Sequence, residues 1–232
     1  MKTTTIRHAI TALLILLLSG ISIQAYAGVA LGATRVIYPA GQKQVQLAVT
    51  NNDDNSAFLI QSWIENDNGQ KYNQFAITPP LFTMQGKKEN TLRIIDGTNN
   101  QLPKDRESLF WLNVKAIPAM DKSKANDNTL QLAIISRIKL YYRPENLSIA
   151  PDTVADALRF KQQAGAILIK NPTPYYATVT GLSVGSVKLN NTLVPPFGES
   201  TVAMPANANG QIKYQTINDY GALTPQMIGR AQ

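Results

Sequence analysis

A period of two constrains this chain more than any other feature. Val45, Leu47 and Val49 share one face of an extended segment, and so do Phe110, Leu112, Val114 and Ala116. Successive side chains of a strand point to opposite sides, so each such run builds one apolar sheet face. Turn-forming clusters separate the runs: Asn51-Asn52-Asp53-Asp54, Asn66-Asp67-Asn68-Gly69 and Asp96-Gly97. No long segment shows helical periodicity. From Gly28 to Pro144 the pattern predicts seven strands, at Thr34 to Tyr38, Val45 to Thr50, Phe58 to Glu65, Ala76 to Phe82, Thr91 to Ile95, Leu109 to Ile117 and within residues 129–144. Seven short antiparallel strands in about a hundred residues predict an immunoglobulin-like β-sandwich.

A linker follows, from Arg143-Pro144-Glu145-Asn146 to Ala150-Pro151-Asp152, rich in proline and poor in apolar residues. Beyond it the alternation resumes at Leu158 to Gln162, Ala166 to Lys170, Tyr175 to Leu182, Val187 to Leu189, Thr201 to Met204 and Gln211 to Ile217. Asn171-Pro172-Thr173-Pro174 and Pro195-Pro196-Phe197-Gly198 punctuate these strands. The expected fold class is therefore all-β, with two sandwich domains, 28–146 and 147–232, and a cleft between them. Residues 1–27 read as an export signal. Lys2 and Arg7 precede an apolar run from Ala12 to Leu18, and Ala25-Tyr26-Ala27 forms a small-x-small cleavage site. That apolar run is short for a membrane span, so a soluble exported protein beginning at Gly28 is expected.

Cleavage there removes His8, the single histidine, and the chain has no cysteine. Serine–histidine and cysteine–histidine nucleophile pairs, an imidazole general base and a Cys/His zinc site are then all excluded. No catalytic residue, metal or cofactor is expected. Stability has to come from packed cores rather than disulfides. Loss of Lys2 and Arg7 lowers the net charge from +7 to +5. The remaining cations are spread along both domains, which argues for a solvated basic surface rather than a nucleic-acid site.

Ser136-Arg137-Ile138-Lys139 fits the S-x-x-K string of penicillin-binding enzymes, but on a strand residues three apart face opposite ways and no K-T-G element accompanies it. No phosphate-binding G-x-x-x-x-G-K-[ST] loop is present. A carbohydrate-binding or adhesive β-sandwich remains open on composition, with nine tyrosines available as platforms. So does a glycosidase built on a carboxylate pair.

The stretch TLQLAIISRIKLYYRP, residues 129–144, begins as an alternation of Leu130, Leu132 and Ile134 and then turns basic at Arg137 and Lys139. Read on pattern alone, the three aliphatics face either this domain's own core or a partner.

Other segments bear on that choice. Leu102-Pro-Lys-Asp-Arg-Glu-Ser-Leu-Phe-Trp-Leu-Asn-Val-Lys-Ala-Ile-Pro118, Gly32-Ala33-Thr34-Arg35-Val36-Ile37-Tyr38-Pro39, Thr78-Pro79-Pro80-Leu81-Phe82, Asn171-Pro172-Thr173-Pro174-Tyr175-Tyr176 and Ile217-Asn218-Asp219-Tyr220-Gly221 together resemble the periplasmic pilus (fimbrial) chaperones, nearest their type 1 fimbrial members. The resemblance runs from Gly28 nearly to the C-terminus. It implies a boomerang of two immunoglobulin-like domains that caps one pilin subunit at a time, a tip adhesin included, and passes it to an outer-membrane usher without ATP. Leu130, Leu132 and Ile134 would then be plugs lent to the subunit's open groove, a form of β-strand addition called donor-strand complementation. Arg35 and Lys139 would grip the subunit's terminal carboxylate. Glu107, Arg143 and Asp219 would bridge the domains, and Thr34 would support the cleft by hydrogen bonding. The short, polar loop Ala119 to Asn128 resembles the branch that serves rod-like, adhesin-tipped pili. A free edge of bare aliphatics further implies a self-capped dimer or a covering loop when no subunit is bound.

Two expectations concern local structure. Trp63 and Trp111 are taken as core aromatics. Leu130 and Lys139 sit at positions of opposite parity, so both can face one subunit only through a β-bulge or sharp twist near Ile135-Ser136, or through a cleft that wraps the strand end.

Overall fold

The apolar face of Val45, Leu47 and Val49 and that of Phe110, Leu112, Val114 and Ala116 meet in one core. The computed structural model describes residues 28–99, 101–120 and 130–231; the predicted leader, Thr129 and most of the loop 119–128 lie outside them. In the first domain nine strands follow one another: β1 (Val29–Leu31), β2 (Arg35–Pro39), β3 (Val45–Asn51), β4 (Phe58–Asn66), β5 (Phe75–Thr78), β6 (Leu81–Met84), β7 (Glu89–Asp96), β8 (Ser108–Pro118) and β9 (Ile134–Arg143). They form two sheets, ordered β1-β3-β7-β5 and β2-β9-β8-β4-β6. Val49, Leu92 and Ile94 of one sheet pack with Ile60, Leu112 and Leu140 of the other, all withdrawn from solvent. Tyr38, also fully buried, satisfies its hydroxyl by donating to the Gln42 carbonyl at 2.9 Å and accepting the Asp96 N–H at 3.0 Å.

The single strand expected over Ala76 to Phe82 is broken at Pro79-Pro80, which supply no N–H to a ladder. As a result β5 joins the first sheet and β6 the second. Strand β1, three residues long, is too short to show alternation and was not foreseen.

After the linker come a 3-10 turn (Pro151–Thr153), one helical turn α1 (Val154–Ala157) and nine strands. These are β10 (Arg159–Gln163), β11 (Ala166–Lys170), β12 (Ala177–Val184), β13 (Val187–Lys188), β14 (Thr192–Val194), β15 (Glu199–Ala203), β16 (Ile212–Thr216), β17 (Met227–Ile228) and β18 (Arg230–Ala231). Their two sheets, β15-β11-β10-β18 and β13-β12-β16-β17 with β14 on β12, close over Leu158, Phe160, Ile169, Val179 and Tyr214. Buried Asn171 explains its Asn-Pro-Thr-Pro motif. Its amide donates to the carbonyls of Tyr175 at 2.7 Å and Pro195 at 3.1 Å, and its Oδ1 accepts from Thr173 N and Oγ1. That turn fixes the backbone on which Tyr175 and Tyr176 stand.

Two expectations are corrected. The β8–β9 register runs unbroken from Ser108 opposite Tyr142 to Ala116 opposite Ile134, so no bulge occurs at Ile135-Ser136. Trp63 and Trp111 are only partly buried and lie outside the core. Parity is the reason: Phe110, Leu112 and Val114 take the inner face of β8, which leaves Trp111 on the outer one.

Candidate functional site

The site begins with the unequal flanks of β9. On one side β8 pairs with it over its length, from Ile134 to Tyr142. On the other side β2 runs parallel and covers only Lys139 to Arg143, beginning with Arg35 opposite Lys139. Ahead of Lys139, therefore, β9 presents an open edge with no strand beside it among the described residues. Backbone N–H and C=O groups on such an edge are available to another chain.

Along this edge runs the aliphatic row. Leu130 is 85% exposed, Leu132 69% and Ile134 68%, which removes these three from their own domain's core. Ile134, the first residue of β9, shares a face with Leu140 and Tyr142, which are buried, and with Ile138, which packs partly on the core, while Leu130 and Leu132 precede the strand. At Ile134 a core face thus continues past the point where its own domain covers it, and Leu130 and Leu132 carry the apolar sequence on ahead of the strand. Gln131 Nε2 donates to the Pro118 carbonyl and ties this segment to the end of β8.

The open edge stops at two cations. Arg35 and Lys139 are register partners on adjacent strands, about 4.8 Å apart at the backbone, and share the outer face. Burial, and then the neighbouring Arg35 charge, hold the Lys139 ammonium below the usual lysine range. Arg35 donates from an Nη to the Ile217 carbonyl at 3.2 Å, while its buried Nε has no partner among the described residues. Among the described residues no carboxylate lies within ion-pair distance of either. Trp111 forms the floor beside them. Its ring lies 5.7 Å from Lys139 Nζ and 4.4 Å from the Arg137 guanidinium, which also meets Glu65 at 3.2 Å. Sequence reading passed over this role, although the odd position of Trp111 between Phe110 and Leu112 was the signal for it.

The predicted bridge between domains assembles. Arg143 Nε donates to Glu107 Oε1 at 2.8 Å, and its two Nη atoms grip Asp219 in bidentate fashion at 2.6 and 2.7 Å. Glu107 Oε2 accepts the Tyr176 N–H at 2.8 Å, so the buried acid also holds the second domain's backbone. Burial pushes the Glu107 carboxyl up; Arg143 and the Tyr176 N–H act in the opposite direction. Next to this bridge, a cavity of about 260 Å³ is lined by Arg35, Tyr141 and Arg143 of the first domain and by Tyr176, Thr216 and Tyr220 of the second. Burial raises the Tyr141 hydroxyl to about 12, and both it and Thr178 Oγ1 lack a partner at hydrogen-bond geometry.

Thr34 acts differently from expectation. No hydrogen bond from its side chain is found among the described residues. Instead Thr34 packs against Gly221, where φ is +82° and an added Cβ would collide with Thr34 Oγ1. This contact needs glycine on both grounds. Ser136 and Lys139 fall on opposite faces of β9, so the S-x-x-K string has no geometry behind it. Among the described residues there is no group of three or more His, Cys, Asp or Glu side chains placed to hold a metal, and no helix long and apolar enough to cross a membrane.

Comparison with known proteins agrees with this architecture. Residues 28–148 match the family described as "Pili and flagellar-assembly chaperone, PapD N-terminal domain", and residues 153–227 match "Pili assembly chaperone PapD, C-terminal domain". The chaperone protein FimC of Escherichia coli K12 is 69% identical over 206 residues, which cover 89% of this chain and 86% of FimC. The crystal structure of the periplasmic chaperone SfaE superposes with a TM-score of 0.79 at 63% identity, covering 88% of this chain and all of SfaE. The SafB chaperone of Salmonella enterica, solved in complex with the SafA pilin, gives a TM-score of 0.79 at 32% identity, covering 89% and 97% of the two chains. With both domains matched in order and an open-edged strand in the first of them, this chain belongs to the PapD-type pilus-assembly chaperones.

Proposed function

We propose that the open edge of β9 receives the C-terminal strand of a pilin subunit in the periplasm, and that the chaperone holds it there until an outer-membrane usher takes it. The observation that carries this reading is the junction of the edge with β2. Because β2 runs parallel to β9 and starts opposite Lys139, a strand added ahead of β2 in the same direction drives its C-terminus into Arg35 and Lys139. A partly desolvated carboxylate there gains charge-assisted hydrogen bonds and a fixed register. Leu130, Leu132 and Ile134 then enter the subunit's groove, which contributes about 5–9 kcal/mol before ordering costs.

The unbroken β8–β9 register leaves the second of the two geometric options. The plugs use one face of the strand, and the anchor reaches the subunit around the end of the open edge from the other. Glu107, Arg143 and Asp219 hold the two domains at the angle that this requires. SafB, solved with its pilin, supports a subunit as the partner. Cleavage after Ala27, release into the periplasm, absence of catalysis and self-capping of the free edge complete the reading. The carbohydrate-binding alternative is not favoured by these similarities.

The test is co-expression with the pilins encoded beside this chain. A stable one-to-one complex is expected, and Arg35→Ala combined with Lys139→Ala abolishes it. Normal capture by the double variant removes the anchor from the mechanism.

A further inference from the structure

One side chain has no task in the scheme above. Tyr220 is 95% exposed, the most exposed of the large hydrophobic residues. Exposed aromatics are commonplace on mobile loops, yet this one stands on a turn held from several directions. Asn218 Oδ1 accepts the N–H groups of Tyr220 at 3.1 Å and Ala222 at 2.9 Å. The backbone closes the same turn through Asn218 N to Ala222 O and Gly221 N to Asn218 O. On either side of Tyr220 the turn is fastened to the first domain, by the bidentate Asp219–Arg143 pair and by Gly221 against Thr34. The residue before the turn, Ile217, accepts the hydrogen bond from Arg35.

These fastenings fix the backbone from which the ring projects. Tyr220 and Arg35, the cation that ends the open edge, both line the cavity between the domains. A tyrosine has only two side-chain torsions to fix, so on a rigid backbone it presents a large amphipathic surface at low ordering cost. Interface residues that carry most of the binding energy have this character.

We infer that Tyr220 is the contact by which the second domain grips the bound subunit, against the last residues of the strand whose carboxylate Arg35 and Lys139 hold. The inference rests on the proposed function and adds a second-domain determinant to it. Its consequence is a two-sided clamp at the subunit's terminus, with cations from the first domain and an aromatic face from the second.

The test uses the full chain and a co-encoded pilin subunit. Tyr220→Ala is expected to weaken capture about tenfold, chiefly through faster release, while the melting temperature of the free chaperone stays unchanged because the ring makes no core contact. Tyr220→Phe keeps most of the affinity. In parallel, a photo-crosslinking phenylalanine analogue at position 220 should mark the final residues of the subunit. Unchanged capture by Tyr220→Ala, or a crosslink only to parts of the subunit distant from its C-terminus, overturns the inference. Arg35→Ala with Lys139→Ala separates the two readings. Loss of capture in that variant with none in Tyr220→Ala rejects only the clamp, whereas retention in both rejects the proposed function as well.

Discussion

Replacing Leu130, Leu132 and Ile134 by alanine together separates capture from stability. In the free chain these side chains are 85%, 69% and 68% exposed, so truncating them takes little apolar surface out of contact with protein. Exposed positions of this kind change folding free energy by no more than about 0.5 kcal/mol each. In a complex the same atoms are buried. Each substitution then removes three carbons at about 0.8 kcal/mol apiece, roughly 2.4 kcal/mol per site and about 7 for the triple variant. At about 1.4 kcal/mol per tenfold, that weakens the subunit complex by around five orders of magnitude. The assay pairs a subunit-capture titration with a thermal melt of the free protein. The expected result is capture lost and the melt unmoved. A melting temperature that drops steeply, with capture falling only in proportion, would show that the three residues support their own core and would refute the reasoning.

Two further outcomes follow from the charged groups. In the free protein burial and Arg35 depress the Lys139 ammonium, and a bound carboxylate raises it again, so the complex holds a proton more tightly than its parts. Capture is then full below the depressed value, declines by up to tenfold per pH unit above it, and levels off beyond the value in the complex. Titrated capture should start to fail at a lower pH than the ordinary lysine value of about 10.4, and Lys139→Arg should abolish that dependence. Glu107→Ala leaves Arg143 Nε and the Tyr176 N–H without their acceptor, at an expected cost of about 3–5 kcal/mol, read as a lowered melting temperature. Glu107→Gln, which keeps an acceptor, should recover part of it, and an unmoved melt in Glu107→Ala would count against the bridge.

Much of this was legible in the sequence, and the misses have physical causes. Period two located the long strands because one face of each is buried, and it placed Leu130, Leu132 and Ile134 on a common face. It did not say whether that face was covered, since Leu140 on the same face is fully buried and Ile134 is exposed. Coverage depends on where the opposing sheet ends, a fact held elsewhere in the chain. Strands β1, β14, β17 and β18 escaped because two or three residues contain no period. The bulge was predicted from a conflict between Leu130 and Lys139 that assumed a partner facing only one side of the strand. An open edge lets a partner reach both. Trp111 is expected in the core as an aromatic, although its parity already places it outside. Tyr176 entered through its backbone N–H, a group that side-chain patterns do not describe.

The start of β2 opposite Lys139 gives the open edge a closed end. A partner strand sliding along β9 can advance only until it meets β2, so the groove behaves as a blind alley rather than a channel. Such a shape measures. It would admit the end of a chain and refuse its middle, and would set every residue of the visitor by counting back from the terminus. A subunit carrying even a short C-terminal extension would therefore fail to seat, however well the rest of it fitted. On the proposed function, the chaperone would inspect whether its client has been finished before it inspects how it is shaped.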